Sequence, residues 1–517
     1  MTSQYINDSD TSPNLIIGGG TIGLFMAHEL LKRGEKVIII EAGSENIESF
    51  KNNEFVVTGQ PHSGSLIGRT KGIGGTSNLW GGQLSEFIPA DIENKNNYGQ
   101  PAWAINWDEL KYYYVLAYKK MGFTDLQIND IKERLEETND QIFIEKFYTN
   151  WLKIPNFKQA YWGDIYASKN ATVHLQSVVT DLIYENDKCV KIEYIQNNQK
   201  KILTRFSTVI LTCGTIEISR LLLITAKNQQ CPFSDNKYIG KFFQDHLNFK
   251  VAKIQGATKH FFTSYSNIMK NGCKLQPKIR INSTDQDNKY LGISGYFSFN
   301  NSVTHHLDTF KQFFKAITGK EHVTIKNMFV LILKFIKTLP IAFPLIYRYV
   351  KDNRIYIPFN SEVSLNLQTQ QISISSSHIN ISDNEKDDFN RPKAVINWRI
   401  DGSEFERIEL FCDKINTYFN KHKLGDLIFE DWFINECRNR DGKWVQHATD
   451  IYHHAGGTIM SSSKENGVVD SNLKIHGTCN TYVAGASILP TSSYANTGLT
   501  SLALAYRLVD HLNKIPL

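Results

Sequence analysis

Asn14–Ile17 is a short apolar run that stops at glycines, and Leu24 to Lys32 follows with Leu24, Ala27, Leu30 and Leu31 at helical spacing. Gly34 ends that helix and Val37 to Ile40 is a second apolar run. The pattern predicts strand, helix, strand, the unit of a parallel sheet. Near the other end, Asn472 to His476 and Thr481 to Val483 read as strands, and Thr500 to Leu512 reads as a helix with Leu502, Leu504, Ala505, Leu508 and Val509 on its apolar face. Between these ends the period shifts to two. Val363-Ser364-Leu365-Asn366-Leu367 and Ile372-Ser373-Ile374-Ser375 alternate as half-buried strands do. Asp401 to Lys423 returns to helical spacing, and Ser382 to Lys393 reads as a solvated turn.

The chain has 517 residues, 41% of them hydrophobic, enough to bury a large core and to predict two or three domains. Its 57 basic and 52 acidic residues leave a net charge of +5, with no basic block of the kind a nucleic-acid binder carries. Seven cysteines show no C-x-x-C spacing, which argues against a disulfide framework or a structural zinc site and suits a reducing compartment. The first residues, MTSQYINDSDTS, are polar and acidic rather than a secretory leader, so a cytoplasmic location is expected. No run of 18 apolar residues occurs. The nearest approach, Asn327 to Val350, is interrupted by Lys334 and Lys337 and expected to break at Pro340 and Pro344. It reads either as a buried or lid helix or as a basic, apolar element, spanning 324–351, that lies on a membrane surface or guards a site entrance.

Gly18-Gly19-Gly20-Thr21-Ile22-Gly23 fits G-x-G-x-x-G between a strand and a helix, and Glu41 ends the second strand. Gly18 permits a tight turn, Gly20 lets a pyrophosphate approach the backbone, and Gly23 lets helix and strand pack closely. The helix start offers free amides to phosphate, and Glu41 can accept both ribose hydroxyls. An acid there disfavours a 2′-phosphate, so FAD or NAD is the expected ligand. A second glycine-dense stretch, GRTKGIGGTSNLWGG at 68–82, can bring backbone close to a flat ligand. Late in the chain stand Ala484-Gly485-Ala486 and Tyr494-Ala495-Asn496-Thr497-Gly498, before a helix start that would aim amides at a ligand.

Together these segments resemble the glucose–methanol–choline (GMC) oxidoreductases, FAD enzymes acting on alcohols. The matching pieces are GGGTIG with Glu41, GIGGTSNLWGG, ILTCGTIEISRLLL at 210–223, GKFFQDHLN at 240–248, HINISDNEKDDFNRPKAVINWRI at 378–400, and HHAGGTIM through YANTGLTSLALAYRLVDHL at 453–512. Trp107-Asp108-Glu109-Leu110 with Tyr112 to Tyr114 resembles the helix that follows the second glycine cluster in the family. The pattern looks closest to the pyranose oxidase-like, bacterial sugar-oxidising branch.

The resemblance implies an α/β fold, α+β overall. A Rossmann-type FAD-binding domain would be assembled from 1–95, 165–255 and 445–517, and a sheet-and-helix substrate domain from 96–164 and 256–444. It places Gly18, Gly20, Thr21, Ile22, Gly23 and Glu41 on the ADP half of FAD. Gly74, Gly75, Thr76, Ser77 and Asn78 fall beside the isoalloxazine and ribityl chain, Val178 beside adenine, and Gly485 and Ala486 near the ribityl chain. Some relatives bond the flavin covalently through a histidine where this chain has Leu79, so dissociable FAD is expected. The implied substrate is a small alcohol or carbohydrate. His454, in His454-Ala455-Gly456-Gly457-Thr458, matches the H-x-x-G-T base, and Asn496 its hydrogen-bonding partner. An imidazole suits that task because its ordinary pKa, ~6.5, lies near working pH. His453 is the competitor, since neighbours on a strand point to opposite faces. His246 is expected to be structural, and no metal is expected. Thr497 stands where the family usually has proline, and Ile459 where many members have arginine. The alternatives kept open are a flavin-containing lyase on the same fold and a non-enzymatic, membrane-peripheral flavin protein. The substrate and the electron acceptor are not legible.

Overall fold

The structure is a computed structural model that describes residues 12–93, 101–133, 144–281, 292–300, 312–313, 316–317 and 324–514. The acidic first segment and the domain limit expected at 95/96 lie outside the described residues, apart from Ser12. A five-stranded parallel sheet runs in the order Thr481–Val483, Thr208–Leu211, Asn14–Ile17, Val37–Ile40, Ala171–His174. Every residue of Asn14–Ile17 and Val37–Ile40 is buried, as expected of strands covered on both faces. The helix Thr21–Lys32 makes the first crossover, and Thr497–Leu512 packs beside it. The chain therefore folds as a mixed α/β protein with a Rossmann-type unit built from both termini and the middle.

The second large sheet is antiparallel, in the order Asp426–Phe429, His246–Gln255, Glu362–Gln370, Ile293–Asn300, Cys273–Ile281, Ile144–Trp151, Gln83–Leu84. Leu247, Phe249, Leu365, Leu367, Ile279 and Phe297 form its buried face, against Ile408, Phe411, Ile415 and Phe419 of the helix Glu404–His422. The opposite face is polar. One register row crosses five strands as Asn248, Gln368, Ser294, Arg280 and Glu145.

Several elements depart from the sequence expectations. His246–Gln255, placed with the nucleotide segments, pairs into the antiparallel sheet, because its alternation of Leu247, Phe249 and Val251 needs that core. Ile372–Ser375 is not a strand, and Asn472–His476 forms only isolated bridges. The stretch 382–393 is not a simple solvated turn. The strand His378–Lys386 enters it, and Asp387 accepts hydrogen bonds from buried Arg220 (2.8 Å) and from Arg391 (2.8 Å). The prolines do not break the apolar stretch, since Ile325–Asp352 is one helix of 28 residues. No described helix is long and apolar enough to cross a membrane.

Candidate active site

The first glycine loop behaves as its spacing requires. Gly18 has φ +110°, and a β-carbon there would sit 2.7 Å from the Cys213 backbone at the end of the neighbouring strand. A β-carbon on Gly23 would overlap the Gly18 carbonyl oxygen, so helix and strand touch through it. At Gly20 a β-carbon would meet only Gly75 Cα, at 3.8 Å, so the two glycine clusters face each other there. Thr21 and Thr76 come together across the same gap, with hydroxyls 3.4 Å apart. Gly75 continues from Gly74 (φ +94°) into the turn that includes Thr76, Ser77 and Asn78. Ser77 Oγ and Asn78 Nδ2 bond to the carbonyls of Gly74 and Gly75, so these two residues shape the turn with their own side chains.

Glu41 is buried, and its carboxylate accepts from the amides of Gly19 (2.7 Å), Gly43 (2.8 Å) and Gly72 (2.8 Å). Three of about four acceptor positions are thus used by backbone, leaving capacity for a ribose hydroxyl. Ser177 N bonds to Glu41 O (2.9 Å), which sets Val178 beside the strand end. Gly485 has φ +137° with open space where a β-carbon would stand, and Ala486 begins the short turn after it. The helices starting at Thr21 and Thr497 have no side-chain cap and no acid in the first turn, so their amides are available to an anion. These features fit a dinucleotide lying along the two glycine clusters.

The catalytic pair expected from the sequence is not the pair the structure forms. His453, not His454, meets Asn496, with Nε2 3.1 Å from Asn496 Nδ2. His454 turns the other way, its Nε2 3.7 Å from Asp245 Oδ2 and its ring 5.1 Å from that of His62. The cause is the pleat. Ala455 bridges Gln244 and the His453 amide donates to Asp245 Oδ1 (2.9 Å), which fixes the side to which each histidine points. Both H-x-x-G frames, from His453 to Gly456 and from His454 to Gly457, exist in this sequence, and only the second continues into Thr458.

His246 is fully buried and hydrogen-bonded at both ring nitrogens. Its Nε2 lies 3.0 Å from the Ser492 carbonyl oxygen, which can only accept, so Nε2 carries the proton and Nδ1 is the acceptor. His453 Nδ1 stands 2.8 Å from His246 Nδ1 and must donate to it. Neutral His453 therefore has its lone pair on Nε2, where it accepts from Asn496 Nδ2 (3.1 Å). The amide of Gln368 supports the same assignment by donating to His246 Nδ1 (3.0 Å) and to Tyr494 O (2.7 Å). Burial, together with the neighbouring His246 and Lys278, pushes His453 down to about 3. Asn496 Oδ1 is buried with no hydrogen-bond partner among the described residues, the condition of an atom awaiting a ligand.

Burial alone would raise the Asp245 carboxyl, but the imidazoles of His62, His454 and His453 hold it well below the usual carboxylate range. His62, Asp245 and His454 bring their ligating atoms within 4.8 Å of one another, a spacing also compatible with a metal ion. His62 Nδ1 accepts from the Ser65 amide (3.2 Å), and its Nε2 stands 3.3 Å from Asp245 Oδ2.

Lys278 was not singled out by the sequence. It is 5% exposed, on the polar sheet face, with its ammonium 5.3 Å from the Tyr296 ring centroid. Burial pushes it down to about 8. Tyr296 Oη donates to Asn248 Oδ1 (2.9 Å), and Arg280 bonds Tyr494 Oη (2.7 Å) and Glu145. The available signal was the alternation of Lys274, Gln276, Lys278 and Arg280 with Leu275, Ile279 and Ile281.

Residues 373–505 match the family model described as GMC oxidoreductase. The fructose dehydrogenase large subunit of Gluconobacter japonicus is 19% identical over 586 aligned positions, covering 98% of each chain. Pyridoxine 4-oxidase from Mesorbium loti superposes with a TM-score of 0.60 at 15% identity, over 98% of this chain and 100% of that one. An FAD-dependent oxidoreductase from Chaetomium thermophilum does so at 0.58 and 12%, over 98% and 99%. A formate oxidase variant from Aspergillus oryzae gives 0.58 and 14%, over 98% of both chains. Residues 373–505 thus match the GMC oxidoreductase family model, and the chain as a whole shares the fold of these solved oxidoreductases.

Proposed function

We propose that this protein oxidises a CH–OH group of a sugar or related polyhydroxy alcohol, with His453 as the base and Asn496 as the group that orients the hydroxyl. The observation that carries the reading is the chain from the Ser492 carbonyl through His246 to His453, which leaves Nε2 unprotonated beside an amide whose oxygen is unpartnered. A substrate hydroxyl that replaces the direct contact between the two side chains would donate to His453 Nε2 and accept from Asn496 Nδ2. His453 then takes the hydroxyl proton, and the His246 contact at Nδ1 steadies the imidazolium that forms. FAD, when bound, supplies the hydride acceptor. Gly18, Gly20, Thr21, Ile22, Gly23, Glu41 and Val178 would hold its ADP half, and Gly74 to Asn78, Gly485 and Ala486 the remainder.

Two observations favour a hydroxylated substrate. The sheet face beside the pair is polar, with Asn248, Gln368, Lys278 and Tyr296 on it. The full-length relative is named for fructose. Leu79 is 51% exposed and has only carbon to offer where a covalent link would stand, so the flavin is held without a bond.

Anaerobic mixing of the FAD-loaded protein with a panel of sugars and simple alcohols tests this. The flavin should bleach with at least one, and acid denaturation should release the colour into solution. His453→Ala should keep the bound flavin and slow bleaching by about 10²–10⁴-fold. His454→Ala should slow it far less. Equal losses in the two variants, or turnover without any flavin spectral change, would reject the assignment.

A further inference from the structure

The helix Ile325–Asp352 plays no part in the site. Phe329, Leu333, Ile336, Phe343, Tyr347 and Val350 recur on it at spacings that place them within an arc of about 100°. All six are exposed, from 47% at Leu333 to 76% at Phe343, whereas Leu331 points inward at 9%. The helix is docked by its other side and its end. Phe335 stacks on Phe313 with centroids 4.0 Å apart. Arg348 pairs with Asp352 and reaches Thr263 (3.4 Å), and the Ile355 amide bonds to Asn267 O (2.8 Å). A stripe about 32 Å long, at 1.5 Å per residue, is thus turned outward. Contiguous apolar surface on this scale marks an interaction site.

The charge decides what covers it. The helix contains Lys326, Lys334, Lys337, Arg348 and Lys351 against the single acid Asp352, and Asp352 is taken by Arg348. A second copy would bring the same cations against themselves, and an anionic surface would complement them. No described helix is long and apolar enough to cross a membrane. We propose that Ile325–Asp352 lies flat in the headgroup region of an anionic lipid bilayer, burying Phe329, Ile336 and Phe343 and placing Lys334 and Lys351 among the phosphates.

Co-sedimentation of the full-length, FAD-loaded protein with phosphatidylcholine vesicles, made with and without phosphatidylglycerol, tests this. The protein should pellet with the anionic vesicles, bind the neutral ones more weakly, and lose affinity as salt rises. Phe329→Ser with Phe343→Ser, and separately Lys334→Glu with Lys351→Glu, should each weaken binding by about tenfold or more with the flavin spectrum unchanged. The proposal is overturned if the wild type stays in the supernatant, or if neither pair changes the bound fraction. It is also overturned if light scattering shows a dimer that the serine pair dissolves without any vesicle binding.

Discussion

At residue scale the chemistry turns on which nitrogen of which histidine is free. The residue types were legible, since two adjacent histidines precede the glycines and a late asparagine follows. The choice between them was not, because it depends on how Asp245 and Gln244 fix the pleat of a partner segment some 200 positions earlier. A consequence for pH follows from the same contacts. His453 is held down to about 3 by burial and by the neighbouring His246 and Lys278, so it remains a neutral base across the whole range in which an ordinary histidine titrates. The profile of kcat/KM reports groups of the free enzyme. It should therefore run level through pH 6.5, with its acid limb well below. A clear inflection near 6.5 would mean that the base is not this buried imidazole.

At the scale of elements, the strand–loop–helix at the N-terminus was legible in detail because its glycines answer to local geometry. The helix begins at Thr21, within the motif, and Gly18 and Gly23 sit where a β-carbon has no room. Gly23→Ala should accordingly push the helix from the strand, cost about 1–3 kcal/mol of stability and lower FAD occupancy, as read by denaturant midpoint and flavin-to-protein absorbance. Full occupancy and an unchanged midpoint would show that the loop yields. Elements that answer to distant partners were not legible. Pro340 and Pro344 read as breaks, yet each costs the helix only local backbone bonds, and the helix Ile325–Asp352 persists because its ends are capped and tied down. The Thr324 side chain accepts from the Asn327 amide (3.4 Å), and Asn353 closes the C-terminus with φ +52°. The acidic stretch at 382–393 read as solvated because nothing local shows that Arg220 lies beneath Asp387.

At the scale of the whole molecule, the two sheets meet around a buried set of titratable groups, and that sets how stability depends on pH. His453 and His454 are each pushed down to about 3, with burial the largest cause, so the folded protein keeps both neutral where the unfolded chain, near 6.5, takes up two protons. Their contribution is complete above about pH 6.5 and is lost as pH falls below it. Asp91 acts in the opposite sense. Burial raises it to about 6, so the folded state gains a proton below that value which the unfolded carboxyl does not take up until near 4. Two protons favour unfolding and one favours folding, so acid should win by the difference. Between pH 7 and pH 5 the sum amounts to about 2–3 kcal/mol of lost stability. Equilibrium denaturation of the FAD-loaded protein at the two pH values should show a lower midpoint at pH 5. Replacing Asp91 with Asn, which stays neutral, should remove the opposing contribution and steepen the acid loss relative to wild type. Equal or higher stability at pH 5 would mean that the paired histidines already carry charge in the folded protein, and the neutral base proposed at the centre would fall with them.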